Sequence, residues 1–454
     1  MSSYRGKFQY LATSGGATQQ GACQFQFDQQ TFTLSPESGT ALVFDLGDID
    51  ALIAADYEIR LALFTGNTVL LEQLGKPFQD LSRELLEAYR KRTLQCLLLE
   101  DLQEVDRFAG GFTLEAAGAS PVSGPAEIRL FKSNLAVMPT ATQAFQWRLA
   151  DIANFRFDQQ NYEITVERDG DHLHLNRLAR RTELLYNKLR DSLNALRAQS
   201  GEALHLILPF LDPSQLQCAL GLIPEGHSVS FAKLGAVHPR IPDALAKNAV
   251  DETLKPYFDE LVRRSAKDQV FAGYKLVRPD ENSGGKAQPV VSPADGSSED
   301  GGEDDAIVST SGAPDADSTA PKVLYWFFFP LATKRASAPN VVAWEASSSS
   351  GRATYFFRLN APNEQPTVAA GPAMLEQAVA RITRTLGLLN FRRRPIYLSD
   401  DELTTKPEFH RYAIAARKIA DLRTVRAAFL GRAIHSSFEA WRDQVDAILA
   451  KAAG

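Results

Sequence analysis

The densest run of side chains able to do chemistry is Arg392-Arg393-Arg394, with Arg381, Arg384, Arg411, Arg417 and Lys418 close by in the chain. Cations at that density suit a phosphate, a nucleic acid or an acidic partner segment. Arg392, Arg393, Arg394, Arg411, Arg417 and Lys418 are therefore candidate binding residues. A structural account competes. The arginines would complement the dipole of a helix ending after Leu389 and pair with Asp400, Asp401 and Glu402. A nucleic-acid-binding chain would carry a strong positive excess, whereas the net charge here is −6.

Other constellations point to less. His172 and His174 alternate on one strand face, but no cysteine or carboxylate stands at a metal-ligand spacing, so no metal is expected. His435-Ser436 invites a nucleophile, yet Ser436 and Glu439 fit a capping box, and no Gly-x-Ser-x-Gly elbow accompanies them. Asp48 recurs as Asp151, which fits a structural turn or cap. No phosphate-binding glycine loop, dinucleotide fingerprint or zinc signature is present. No catalytic residue and no cofactor is assigned. An enzyme would need a site assembled from distant residues in the C-terminal part, around Tyr397, His410, Arg411, Arg432 and His435.

The elements around these residues repeat. Residues 23–36 and 126–139 match at an offset of 103: Phe25 with Ile128, Phe27 with Leu130, Phe32 with Leu135, Leu34 with Val137 and Pro36 with Pro139. Each alternates apolar and polar residues about a short polar turn, as a β-hairpin does. The match continues through 44–49 and 147–152, then through Tyr57-Glu-Ile-Arg-Leu and Tyr162-Glu-Ile-Thr-Val. Gly66 and Gly170 mark matching turns. Helices follow, with apolar positions 78, 81, 85 and 89 in the first and 185, 189, 193 and 196 in the second. Each unit reads as about five strands and one amphipathic helix.

Antiparallel strands capped by a C-terminal helix resemble a pleckstrin-homology-like (PH-like) barrel, over about residues 20–200. The resemblance implies a phosphate pocket on the first hairpin of a unit. The first unit departs from it, since FQFDQQTFTL holds no Lys or Arg. The second has Arg129 and Lys132 in its hairpin and Arg148 on the next strand, so these three join the candidate binding residues. Ordinary solvated strand faces are the competing account. Tandem PH-like domains beside an acidic stretch are also similar in arrangement to histone chaperones of the FACT type.

Residues 201–269 read as a helical connector. Residues 270–277, 323–332, 340–347 and 352–359 are aromatic and β-branched runs that suit one antiparallel sheet, followed by helices to residue 454. Gly431 is the expected stop between two of those helices, and the C-terminal part is read as a diverged third copy of the unit. The stretch 278–322 holds three bases and ten acids, a charge of −7, with no aromatic residue. It is expected to be a disordered acidic linker. Residues 323–454 carry +7, and residues 1–277 carry −6. The expected organisation is α+β, with PH-like units at 1–120 and 121–200. The connector follows at 201–269, and the C-terminal sheet and helices occupy 270–277 and 323–454.

The 454 residues, 44% hydrophobic and 23% charged, exclude a collagen-like or wholly disordered chain. Cys23, Cys96 and Cys218 form no CxxC pair, which suits a reducing, cytoplasmic compartment. No apolar run approaches the ~18 residues a membrane-spanning helix needs, and MSSYRGKFQY lacks a signal-peptide core. The reading is a non-enzymatic binding or scaffold protein whose acidic insert shields a basic C-terminal unit. Its expected ligand is a protein partner, with weak polyanion or phosphate binding besides. The alternative is an acidic-linker chaperone for basic proteins. Because loop-closure cost grows slowly with length, deleting residues 280–320 should leave circular dichroism and the melting temperature nearly unchanged. Unfolding on deletion would make that stretch part of a folded core.

Overall fold

The computed structural model describes residues 3–13, 18–116, 118–265, 267–277, 322–334, 336–347, 353–359 and 371–453. The acidic stretch read as a linker lies outside the described residues, apart from Lys322. The chain divides into two compact units, Met1–Leu193 with Leu403–Ile419, and Asn194–Glu402 with Ala420–Gly454.

The first unit holds the repeat. Its first sheet is built from β1 (Ser3–Leu11), β2 (Gln19–Phe27), β3 (Thr31–Pro36), β4 (Leu42–Asp45), β5 (Ile49–Ala55), β6 (Glu58–Leu63) and β7 (Thr68–Glu72), followed by α1 (Phe78–Cys96). The second is built from β8 (Glu104–Glu115), β9 (Val122–Phe131), β10 (Asn134–Pro139), β11 (Phe145–Arg148), β12 (Asn154–Asp158), β13 (Glu163–Arg168) and β14 (Asp171–Asn176), followed by α2 (Thr182–Ile207), of which the part up to Leu193 belongs to this unit. The strand orders, β4-β3-β2-β1-β7-β6-β5 and β11-β10-β9-β8-β14-β13-β12, are the same order written twice.

Each copy thus has seven strands rather than about five. The strands missed at the start are β1 and β8, and their sequences explain why. β1 mixes charged and aromatic residues and buries only Phe8 fully, while β8 carries Gly110-Gly111. A glycine in a strand marks close approach of other atoms. A Cβ at Gly6 would lie 2.8 Å from the Glu72 carbonyl and 2.9 Å from Leu74. A Cβ at Gly110 would lie 2.8 Å from both the Asn176 carbonyl and Leu178. The same leucine closes over the same glycine in both copies.

The alternation read from the sequence places Phe25, Phe32, Leu34, Ile59, Leu61, Val69 and Leu71 in the first core, covered by Leu81, Leu85 and Tyr89 of α1. Ile128, Leu130, Leu135, Val137, Ile164, Val166, Leu173 and Leu175 are buried in the second copy, as are Leu185, Leu189 and Leu193 of α2. A short 3-10 turn follows the fourth strand in both copies, Leu46–Asp48 and Leu149–Asp151. These contain the recurring aspartates Asp48 and Asp151.

The second unit contains α3 (Pro213–Leu222), β15 (Ser228–Ser230), α4 (Phe231–Val237), α5 (Ile241–Ala249) and α6 (Lys255–Arg264). It continues with β16 (Phe271–Val277), β17 (Lys322–Leu331), β18 (Val341–Ala346) and β19 (Ala353–Arg358), then α7 (Pro372–Leu388), α8 (Arg394–Tyr397) and the start of α9 (Asp400–Thr405), which passes into the first unit at Leu403. The helix α10 (His410–Lys418) belongs to the first unit. α11 (Ala420–Ala428), β20 (Phe429–Ile434) and α12 (Phe438–Ala452) complete the second. β16 pairs antiparallel with β17, so the strands on either side of residues 278–321 are neighbours in one sheet, as expected.

That sheet runs β15-β16-β17-β18-β19-β20 in simple sequence. Its order differs from the repeat, so it is not a third copy of the same topology. Its central strands, β16 to β19, are buried on both faces, which is why they read as nearly unbroken apolar runs rather than alternating ones. Tyr325, Phe327, Phe329 and Phe356 pack with Phe258, Trp441 and Val445 in one core. On the opposite side Trp326 contacts Phe391, with ring centroids 4.6 Å apart.

Two boundaries differ from the sequence reading. Gly431 does not stop a helix but lies within β20, where an irregularity in register faces it between Phe356 and Phe357. The edge of the sheet supplies hydrogen-bond partners that override the helical composition. The cap of α12 is Ser437 rather than Ser436. Ser437 is extended and its hydroxyl accepts from the Ala440 amide at 3.2 Å. The other capping box is present, with Glu402 accepting from the Ser399 amide at 2.9 Å and Ser399 Oγ accepting from the Glu402 amide at 3.2 Å.

His435 is buried in this unit. Its Nε2 lies 3.2 Å from Glu345 Oε2, with both side chains at most 2% exposed. Thr354 donates to Glu345 at 2.6 Å and accepts from Trp441 Nε1 at 2.9 Å. Tyr257 stacks on the imidazole at 4.0 Å. Removing one partner of such a pair leaves the other desolvated and unmatched. Glu345→Ala should therefore lower the unfolding free energy by about 3–5 kcal/mol, read from urea denaturation. A loss under about 1 kcal/mol, the scale of a surface pair, would overturn this account.

Candidate anion-binding cleft

The candidate cations that the chain places close together fall in different compact units. Arg392, Arg393 and Arg394 lie in the second unit, at the junction of α7 and α8. Arg393 is 3% exposed, and its guanidinium lies 5.8 Å from the Trp344 ring centre and 5.7 Å from that of Tyr355. Arg411, Arg417 and Lys418 lie on α10, in the first unit. There they meet carboxylates: Arg411 pairs with Glu100, Arg417 with Asp48, and Lys418 with Asp50 at 2.9 Å. Lys418 also donates to the Ile49 carbonyl at 3.0 Å. Arg417 further covers the Phe64 ring at 4.0 Å.

The deepest carboxylate of this region is Asp45. It accepts from the Gly47 amide at 2.7 Å and takes a two-pronged contact from Arg92, at 2.8 and 2.6 Å. Both side chains of that pair are at most 7% exposed. Burial opposes the Arg92 charge, but the hydrogen bonds and charge of Asp45 outweigh it and hold the guanidinium above its ordinary value. Burial raises the Asp48 carboxyl, with the nearby Arg417 charge working the other way. Burial also pushes the adjacent Cys96 thiol up to about 12, so it remains protonated and unreactive at neutral pH.

The second-copy cations are distributed along the sheet. Lys132 is exposed in the turn between β9 and β10. Arg148 ends β11 and lies 3.5 Å from Asp151. Arg129 is buried, 8% exposed, and belongs to a chain of alternating charges. Arg107 Nε meets Glu104 at 2.9 Å, and Glu104 meets Arg129 Nη1 at 3.2 Å. Arg129 Nε meets Glu127 at 2.5 Å, and Glu127 meets Arg90 Nη1 at 2.9 Å. Strand pairing sets the spacing, because Arg107 and Arg129 are direct cross-strand partners.

This ladder borders a cleft of about 280 Å³ lined by Glu87, Arg90, Lys91 and Leu94 of α1 and by Arg107 and Arg129 of β8 and β9. Of the candidate residues read from the sequence, only Arg129 lines it. Arg90, Lys91 and Arg107 were missed, although Arg90-Lys91-Arg92 is a second run of three cations. The helix period divides that run: Arg92 turns inward to Asp45, while Arg90 and Lys91 face the cleft.

No family model matches the chain, and no curated protein matches it. Solved structures do. The C-terminal domain of an unknown protein from Leishmania infantum is 15% identical, with a TM-score of 0.20, over 24% of this chain and 97% of that one. The N-terminal PH domain of human ARAP2 is 14% identical, with a TM-score of 0.17, over 27% of this chain and 93% of that one. The Spt16D Pob3N heterodimer is 18% identical, with a TM-score of 0.16, over 37% of this chain and 84% of that one.

The described charge pairs differ in burial and so in worth. Arg92→Ala strands a buried carboxylate and should cost about 3–5 kcal/mol. Arg411→Ala removes a half-exposed pair and should cost about 1 kcal/mol or less. Chemical denaturation of the two variants checks the order, and equal losses would overturn it.

Proposed function

We propose that this chain is a non-enzymatic binding or scaffold protein built of tandem PH-like modules, with an acidic insert that shields the basic C-terminal part. The observation that supports this reading is the duplication. One strand order occurs twice, each time followed by a covering helix, with the same glycine–leucine closure. Two modules in tandem present two related surfaces on a single chain. A fold alone assigns no ligand, so the partner must be argued from charge.

Charge favours a protein partner over a nucleic acid. Arg411, Arg417 and Lys418 have carboxylate partners within the first unit, and Arg393 is buried against aromatic rings. Each of these four cations is thus already engaged within its own unit, which disfavours them as a polyanion site. Weak polyanion or phosphate binding would involve the remaining exposed bases. The insert brings −7 beside a region of +7 on the same chain, and tethering keeps it at high effective concentration.

Shielding has a direct consequence. Deleting residues 280–320 should raise affinity for heparin at low salt, and the gain should vanish at ~1 M salt, where screening acts within about 3 Å. Unchanged heparin affinity at low salt would remove the shielding part of the proposal.

A further inference from the structure

We infer that the cleft between α1 and the β8–β9 pair recognises a carboxylate side chain of an acidic protein segment, held jointly by Arg107 and Lys91. The inference rests on the binding-protein reading and adds the chemistry of the partner.

The charge balance around the cleft selects the ligand. Its cations are Arg90, Lys91, Arg107 and Arg129, and its carboxylates are Glu87 in the lining and Glu104 and Glu127 in the ladder. Four positive charges against three negative ones leave room for a single monoanion. A phosphate monoester, carrying close to two charges at neutral pH, would overshoot that balance.

The position of the surplus is also specific. Arg129 is 9% exposed at its side chain and lies between two glutamates, so its charge is already used. Arg90 is joined to Glu127. Arg107 gives its Nε to Glu104 and is 59% exposed, so the outer edge of its guanidinium faces solvent. Lys91 is exposed, and its ammonium donates to a neutral partner, Gln29 Oε1, at 2.9 Å. The two cations with capacity to spare therefore line one cleft.

The ladder holds that arrangement before any ligand arrives. Glu104 fixes Arg107 against its cross-strand neighbour Arg129, which limits the side-chain entropy lost on binding. An arginine fork and a lysine point charge together suit a carboxylate, the first by two-pronged contact and the second by adaptable reach.

The test uses the full chain and a fluorescent glutamate-rich peptide, titrated at low ionic strength by anisotropy. Lys91→Glu with Arg107→Glu should weaken binding by about tenfold or more. Lys7→Glu with Arg60→Glu makes the same change in net charge at exposed positions elsewhere in the unit, and should weaken it by less than about threefold. Equal weakening by both pairs, no weakening by the cleft pair, or no saturable binding to the wild-type chain would overturn the inference. A matched phosphoserine peptide that binds more tightly than the glutamate peptide would overturn the carboxylate assignment. None of these outcomes bears on heparin affinity after deletion of the insert, so the two proposals fail separately.

Discussion

Asp45 joins four elements of the first unit at one buried carboxylate. It ends β4, accepts from the Gly47 amide within the 3-10 turn, takes the Arg92 fork from α1 and lies 3.7 Å from His410 at the start of α10. Such a group is costly to desolvate and is tolerated only with its partners in place. Around it the more exposed pairs Arg411–Glu100 and Arg417–Asp48 add orientation rather than much stability. The second copy lacks this hub. Arg148 stands at the position of Asp45 and Leu196 at that of Arg92, so the two modules share a backbone but not this charged core.

The same contrast between buried and exposed charge organises the cleft. Arg129 is locked between Glu104 and Glu127 and acts as a fixed strut. Arg107 and Lys91, at the solvent edge, retain the ability to change partner. A surface ion pair contributes little to stability, and that low cost of exchange is what makes an exposed cation useful for recognition. The buried Glu345–His435 pair is the opposite case. It is enclosed by Thr354, Trp441 and Tyr257.

Much of the fold was legible in the chain. Hairpins that alternate apolar and polar residues, and helices with apolar residues three or four apart, reported their own buried faces. Matching Phe32 with Leu135 and Leu34 with Val137 was sufficient to reveal the duplication. β1 and β8 were hidden because their place in the sheet depends on glycines whose missing side chains admit Leu74 and Leu178. β20 was hidden because its composition is helical, and its strand hydrogen bonds come from β19, more than 70 residues earlier.

The candidate site was legible only in part. Arg129 was identified, but it proved to be the strut rather than the exposed edge, and Arg90, Lys91 and Arg107 went unread. Sequence determines where charges occur along the chain. It does not determine which of them meet: Arg417 and Asp48 are 369 residues apart, and Arg107 faces Arg129 only through strand register. The sequence by itself thus determined the repeat, the helix faces and the segregation of charge into −6, −7 and +7 blocks, because these follow from local spacing and composition. Only the tertiary structure decided which cations are neutralised and which remain at a surface, because burial and ion pairing depend on contacts that no local pattern encodes.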